Sequence, residues 1–439
     1  MVSVSSALQR IKDDLRPFLP DQAIVTACAQ AKHRWRQRQL GPVQTIHLFI
    51  QQVLNFNTAM TALGHLSKTA VKPAAYCRAR MRLPLDVLQA LLLQSSTAMR
   101  QTATQAALWC GLRVHLVDGS SAIAPDTCQS QKVFGQPTGQ KKGCGFPVPK
   151  VLGLFDAFTG LIVQILAFPL FTHEQSKVWM LHPLLRVGDL LVGDRGFCSF
   201  THLAMLSARG IEGLFRVQRT IVDFRPHRKT GGRGRPKGQF IKHLGPCDQI
   251  VQWRKPRKKP LWMSDEQYQA LPPTLEVREL RFRLPRKGQR TWLVTLVTTL
   301  LDPVSYPKQK IAQLYGVRWR VETHFAQLKT TLKMRRIKSQ TPQGVLKELT
   351  VYALVYNLVH AVMLQAALSQ GVTPDRISFI DTLRWLHSAS SGEELPKLLV
   401  NPHRPDRHEP RVIKDLHDTY RKMTLPRKQL RKHPEKTRR

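Results

Sequence analysis

The chain has 439 residues, too many for one compact core, so two or three domains are expected. It carries 68 Lys and Arg against 29 Asp and Glu, a formal net charge of +39. That excess repels itself in the folded state unless a polyanion screens it, which makes nucleic acid the expected partner and an anionic membrane surface the alternative.

Residues 1–105 read as a helical, basic region suited to DNA binding. Pro42 to Phe56 is a periodic apolar segment. Asn57 to Ser67 and Lys72 to Met81 are two short helical candidates around Thr69–Pro73. With Arg78, Arg80 and Arg82 they could form a helix-turn-helix, although short helix pairs are common. Leu85 to Arg100 is a further helix. The pattern then changes. Over 106–218, Val114 to Val117 is a short strand ending in Asp118-Gly119, and Val148 to Phe155 and Leu161 to Phe168 are two more. Thr172 to Leu185 reads as a helix with Thr172 as its cap. Asp189 to Gly193 is a fourth strand, Phe200 to Arg209 a helix and Gly213 to Gln218 a fifth strand. This order predicts an α/β fold, a mixed sheet with flanking helices.

Residues 219–303 read as a β-rich basic insertion. Arg225 to Gly238 is dense in Arg, Lys and Gly, and Arg254 to Lys259 is a second basic cluster. Leu275 to Leu284 alternates apolar and polar residues and pairs with Thr291 to Leu301 across a basic turn. Helices resume at Pro307, so that 304–365 completes the sheet domain and 366–439 forms a helical region with a basic, proline-punctuated tail. No apolar run reaches the ~18 residues of a membrane span. The first residues lack the apolar core of a signal peptide, which predicts a cytoplasmic chain. The seven cysteines are odd in number and form no Cys-x-x-Cys pair, against a disulfide framework or structural zinc.

Residues 315–329 are the most informative stretch. Read as a helix at about 100° per residue, Tyr315, Arg318, Glu322 and Lys329 share a stripe about 60° wide. Leu314, Val317, Val321, Phe325, Leu328 and Leu332 lie beside it. Such a helix holds a carboxylate between cations and a phenol at the edge of a cleft. A solvated face with an i,i+4 Arg–Glu pair has the same pattern. Asp118 and Asp194 each end an apolar strand beside small, turn-permitting residues, where a ligand can approach. A turn or helix cap is the ordinary role of one such Asp. Three converging carboxylates are what two hard divalent cations need.

On these segments the chain resembles bacterial insertion-sequence transposases of the DDE type, in the insertion-sequence-four family. Val117-Asp118-Gly119-Ser120 is similar to the first acidic motif of that family and Asp194-Arg195-Gly196-Phe197 to the second. Tyr315, Arg318, Glu322 and Lys329 match its Tyr-Arg-Glu-Lys signature in residue and spacing. The resemblance covers roughly 105–365. It implies an RNase-H-like catalytic domain carrying a mostly β insertion. It implies that Asp118, Asp194 and Glu322 bind two Mg²⁺, for which Mn²⁺ substitutes. Arg318 and Lys329 would hold DNA phosphates and Tyr315 a terminal phosphate. Trp292 would stack on a flipped base during hairpin formation, with Trp253 and Trp262 as weaker candidates. The implied partner is double-stranded DNA, bound by a homodimer on paired element ends at the bacterial nucleoid. The implied reaction is excision by hydrolysis and transesterification, then insertion by 3′-hydroxyl strand transfer. A decayed or domesticated DNA-binding protein and a metal-dependent nuclease are the alternatives.

Overall fold

A computed structural model describes residues 18–36, 38–66, 71–102, 108–217, 222–225, 238–286, 289–389 and 395–398, with positions 425, 426 and 429. The N-terminal region is helical, as the sequence predicts: α1 (Asp21–Gln30), α2 (Pro42–Leu54), α3 (Leu63–Leu66), α4 (Pro73–Arg82) and α5 (Leu85–Thr102). Pro42 opens α2 at the one place where its missing N–H costs nothing. Ile46, Phe49, Ile50 and Val53 then form its buried stripe. The helix expected over Asn57–Ser67 shrinks to a 3₁₀ turn, Met60–Ala62, and the four-residue α3. Phe56 and Asn57 both take left-handed backbone, φ 55° and 53°, which stops α2 and delays the next turn. Arg80, expected near DNA, is instead buried against the Phe49 ring and bonded to Gln52 (3.0 Å). Residues 67–70 of the expected helix-turn-helix lie outside the described residues.

The strands are β1 (Arg113–Ser121), β2 (Lys150–Asp156), β3 (Ile162–Phe168), β4 (Asp189–Gly193) and β5 (Glu212–Arg216), then β6 (Gly238–Gly245), β7 (Asp248–Arg254), β8 (Thr274–Arg286) and β9 (Gln289–Thr298). They form one nine-stranded sheet, β3-β2-β1-β4-β5-β9-β8-β7-β6. Within the first five only β2 is reversed, since β1, β4 and β5 run parallel and β2 is antiparallel to both its neighbours. That order and sense is the RNase-H-like arrangement the sequence led to. The basic insertion extends the same sheet, because β9 pairs antiparallel with β5. Arg278 on β8 fastens it. Its buried guanidinium binds both oxygens of Asp248 (2.8 and 2.6 Å) and donates to the Tyr306 carbonyl (2.7 Å).

Three local expectations need correction. β1 does not end at Val117. It continues to Ser121, because β2 keeps pairing with it as far as Ser121 opposite Lys150. Thr172–Leu185 is two 3₁₀ segments, Glu174–Ser176 and Val178–Leu184, not an α-helix capped by Thr172. Val178, Leu181 and Leu185 are buried at a spacing that suits either helix, while Pro183 cannot donate to an α-helical ladder. A short helix, α6 (Cys128–Phe134), was not expected. The Thr127 hydroxyl caps it by accepting from the Ser130 N–H, and Gly135 ends it at φ 76°.

Helix α7 (Phe200–Ser207) covers one face of the sheet, and α8 (Asp265–Gln269) lies in the insertion. The other face is covered by α9 (Lys308–Val317), α10 (Arg320–Ala326), α11 (Pro342–Gln370) and α12 (Phe379–Ser388). α11 is long and apolar enough to cross a membrane, although no continuous apolar run suggested it. Of its most apolar window, 83% is buried inside the protein, against α2, α5, β3 and α12. Near its start Glu348, 1% exposed, accepts from the Asn57 amide (2.7 Å) and from the Lys338 and Ser339 N–H groups (2.9 and 2.8 Å), with Arg80 at 3.8 Å. One carboxylate thus ties the N-terminal helices to the end of the sheet domain. Glu348→Ala leaves these donors buried and unpaired, and a loss of about 3 kcal/mol is expected. Thermal melts check this, and an unchanged midpoint would mean that the junction is held elsewhere.

Candidate active site

The parallel register of β1 and β4 pairs Val117 with Gly193. The next residues are Asp118, still within β1, and Asp194, just past the end of β4, so two carboxylates follow the last β1–β4 pair, on strands roughly 4.8 Å apart. Asp118 accepts the Gly119 N–H (2.8 Å), and Asp194 turns out of the sheet to accept the Gly196 N–H (2.7 Å). Side chains alternate along β1, so Asp118 shares the face of Val114 and Leu116, on which α10 packs. Opposite Asp118 on β2 is Gly153. A Cβ there would meet the Phe325 ring at 3.2 Å, so the glycine lets α10 settle on the sheet and bring Glu322 over Asp118.

The 315–329 segment is not one helix. Arg318, Trp319, Val321 and Glu322 donate to carbonyls three residues back (3.1–3.4 Å), so the chain tightens to 3₁₀ winding between α9 and α10. It then widens into a π turn over Gln327–Thr331. The 3₁₀ link adds about 20° per residue to the helical rotation, which carries Tyr315 off the stripe. Tyr315 is fully buried. Its hydroxyl has no hydrogen-bond partner, and Arg318, Asp194 and Arg216 are the charges nearest it. The expectation of a phenol at the cleft edge is therefore corrected.

Arg318, 5% exposed, spans the site. Its guanidinium lies 3.4 Å from Asp118, 3.7 Å from Glu322 and 4.5 Å over the Trp319 ring. Burial pushes the Asp118 carboxyl up to about 6. The Gly119 N–H and Arg318 pull it down, and Asp194 and Glu174 push it further up. Glu322 and Lys329 line an open cleft of about 680 Å³, together with Asp118, Ser120 and Arg335. Burial, helped by Arg335, lowers the Lys329 ammonium from its usual value.

The structure thus brings together Asp118, Asp194, Arg318, Glu322 and Lys329, and turns Tyr315 inward. Trp292 sits on β9 opposite Leu284, but its side chain lies outside the described residues. Trp253 is buried and donates to Glu279 (3.2 Å), and Trp262 stacks between His202 and Trp179. Neither presents a free ring. Arg335 and Glu174 were not anticipated. In Thr172-His173-Glu174-Gln175 an acid in the first turn of a supposed helix has an ordinary explanation, the helix dipole, which concealed it.

The donor set suits a hard divalent cation. It consists of carboxylate oxygens, and burial, with Asp194 and Glu174 adding to it, already raises Asp118. Among the described residues no three such groups close into a cage.

Residues 109–358 match the model of the transposase DDE domain. The chain belongs to that family. It is therefore a DDE transposase, an enzyme acting on DNA in a family that generally uses divalent metal ions. It is similar to the transposase InsG for insertion sequence element IS4 of Escherichia coli K12, at 26% identity over 79% of this chain and 77% of the relative. Among solved structures it is similar to the piggyBac transposase synaptic complex with hairpin DNA. That likeness has a TM-score of 0.42 at 11% identity, over 88% of this chain and 80% of the other.

Because the Tyr315 hydroxyl is buried without a partner, Tyr315→Phe should leave the transposase as stable or stabilise it by about 1 kcal/mol. Denaturant midpoints test this, and a clear loss would reveal a bond the hydroxyl makes.

Proposed function

We propose that Asp118, Asp194 and Glu322 hold two divalent ions, Mg²⁺ with Mn²⁺ as a substitute, at the end of an insertion sequence. The carrying observation is the placement of two aspartates directly after the last parallel β1–β4 pair, with Glu322 on α10 linked to Asp118 through Arg318. When bound, the ions would activate the attacking oxygen and offset charge on the leaving oxygen. The carboxylates set their spacing. Lys329 and Arg335, on the cleft wall, draw the scissile phosphate inward. Arg318 neutralises Asp118 and Glu322 in the absence of DNA and turns to a phosphate when cations replace it. The phenol of Tyr315 supports Arg318 from beneath, a packing role in place of a direct phosphate contact.

The reaction is a series of in-line phosphoryl transfers at one site. Hydrolysis frees a 3′-hydroxyl at the element end. That hydroxyl attacks the opposite strand to close a hairpin, a second hydrolysis opens it, and the freed 3′-hydroxyl joins target DNA. Trp292 is the residue we assign to stack on a base displaced at the hairpin. A homodimer working on two paired ends completes the reading, in the cytoplasm at the nucleoid. The N-terminal helices and basic insertion supply sequence-independent phosphate contacts, in keeping with the +39 charge.

Asp118→Ala, Asp194→Ala and Glu322→Ala should each abolish Mg²⁺-dependent cleavage of an end-containing duplex while end binding stays within about twofold. Cleavage surviving any one substitution removes that residue from the set. Lys329→Ala should lower the salt slope of end binding by about one unit. An unchanged slope would mean that this ammonium touches no phosphate.

A further inference from the structure

A fourth carboxylate reaches this site from the other side of the sheet. Glu174 lies in the 3₁₀ segment that follows β3, and Gly119 on β1 points to the face it occupies. A Cβ on Gly119 would collide with the Glu174 carboxylate, so that the carboxylate rests directly on the strand, one residue from Asp118. The side chain is half-buried. Among the described residues it makes no hydrogen bond and no ion pair, and the charges that act on it are Lys150, His173 and Asp194. A half-buried carboxylate with no donor, set beside Asp118 and Asp194, is repelled by its neighbours unless a cation shares it. The missing side chain at position 119 is what permits the approach.

We propose that Glu174 is a ligand of the divalent-metal site, reaching the cation beside Asp118 and Asp194 through the gap that Gly119 leaves. The inference rests on the metal-site reading above. Its chemistry is that of a hard oxygen donor completing an open coordination shell, with no bond made or broken.

Two substitutions test it without relying on turnover. Mn²⁺ binding to the full-length chain, followed by the loss of the free-ion paramagnetic resonance signal, should weaken about tenfold in Glu174→Gln. Gly119→Ala pushes the carboxylate away without removing it, and should weaken binding in the same direction. Circular dichroism and binding to element-end DNA should match the wild type for both. Asp118→Asn, run in the same titration, separates the two readings. If Asp118→Asn loses Mn²⁺ and Glu174→Gln does not, this inference is wrong and the metal site stands. If Asp118→Asn binds Mn²⁺ as the wild type does, the metal-site reading itself fails.

Discussion

Like charges at one end of a sheet govern the architecture of this protein. Asp118 and Asp194 are placed side by side by the parallel register of β1 and β4, Glu322 is brought over them by α10, and Glu174 lies beneath through a glycine gap. In water such a group would disperse. Here β1 is held on both edges by β2 and β4, and α10 is locked by Phe325 against Gly153. The carboxylates cannot move apart, so their repulsion has to be met by cations. Arg318 meets part of it within the chain. Burial raises the Asp118 carboxyl most, and Asp194 and Glu174 add to it.

The surrounding fold serves to make that strand end rigid. Two apolar layers cover the sheet. One contains Val114, Leu116 and the long α11, and the other contains Val117, Leu191 and Leu203. Residues 116 and 117 bury into opposite layers, which fixes the orientation of 118 and 119 in turn. A one-residue slip of β1 would exchange Asp118 for Gly119 above the sheet and dismantle the site. The nine-stranded sheet carries this rigidity outward, since the insertion strands are stitched to β5 by β9 and pinned by the buried Arg278–Asp248 pair.

Much of this is legible in the sequence, and the reasons differ by element. Buried strands such as Leu190–Val192 announce themselves as short apolar runs between turn residues, and the acids beside them are visible for the same reason. The long α11 is not visible as an element of its own, because buried polar residues such as Lys347, Glu348, Asn357 and His360 interrupt its apolar surface. What stays hidden depends on departures from ideal periodicity. Val178, Leu181 and Leu185 satisfy α-helical spacing, yet the segment holds Pro183 and winds as 3₁₀, while Glu174 sits in a separate short 3₁₀ turn that no periodicity signals. The left-handed backbone at Phe56 and Asn57 arises from tertiary packing, because neither residue is a glycine that would signal it. Arg80 reads as a surface cation and is buried because Gln52 and Ser339 accept from it and Glu348 pairs with it at 3.8 Å.

The signature segment carries the same lesson further. Its spacing describes a straight stripe on a regular helix, and a regular helix would leave all four polar groups facing the cleft. The winding actually alternates from α to 3₁₀ to α to π across 315–331. Tightening between Tyr315 and Glu322 turns the phenol under the sheet end and folds Arg318 inward between Asp118 and Glu322. Widening after Ala326 leaves Lys329 on the cleft wall. The four residues therefore divide by role: a buried floor, an internal counter-ion, an acid and a half-buried cation on the cleft wall. This division explains why the segment needs a tyrosine and an arginine in particular. A planar guanidinium can face two carboxylates at once while its surface lies over Trp319, and an aromatic ring can carry it from below. A lysine in place of Arg318 would supply the charge without the fork, and the two carboxylates it now spans would be held by one point contact.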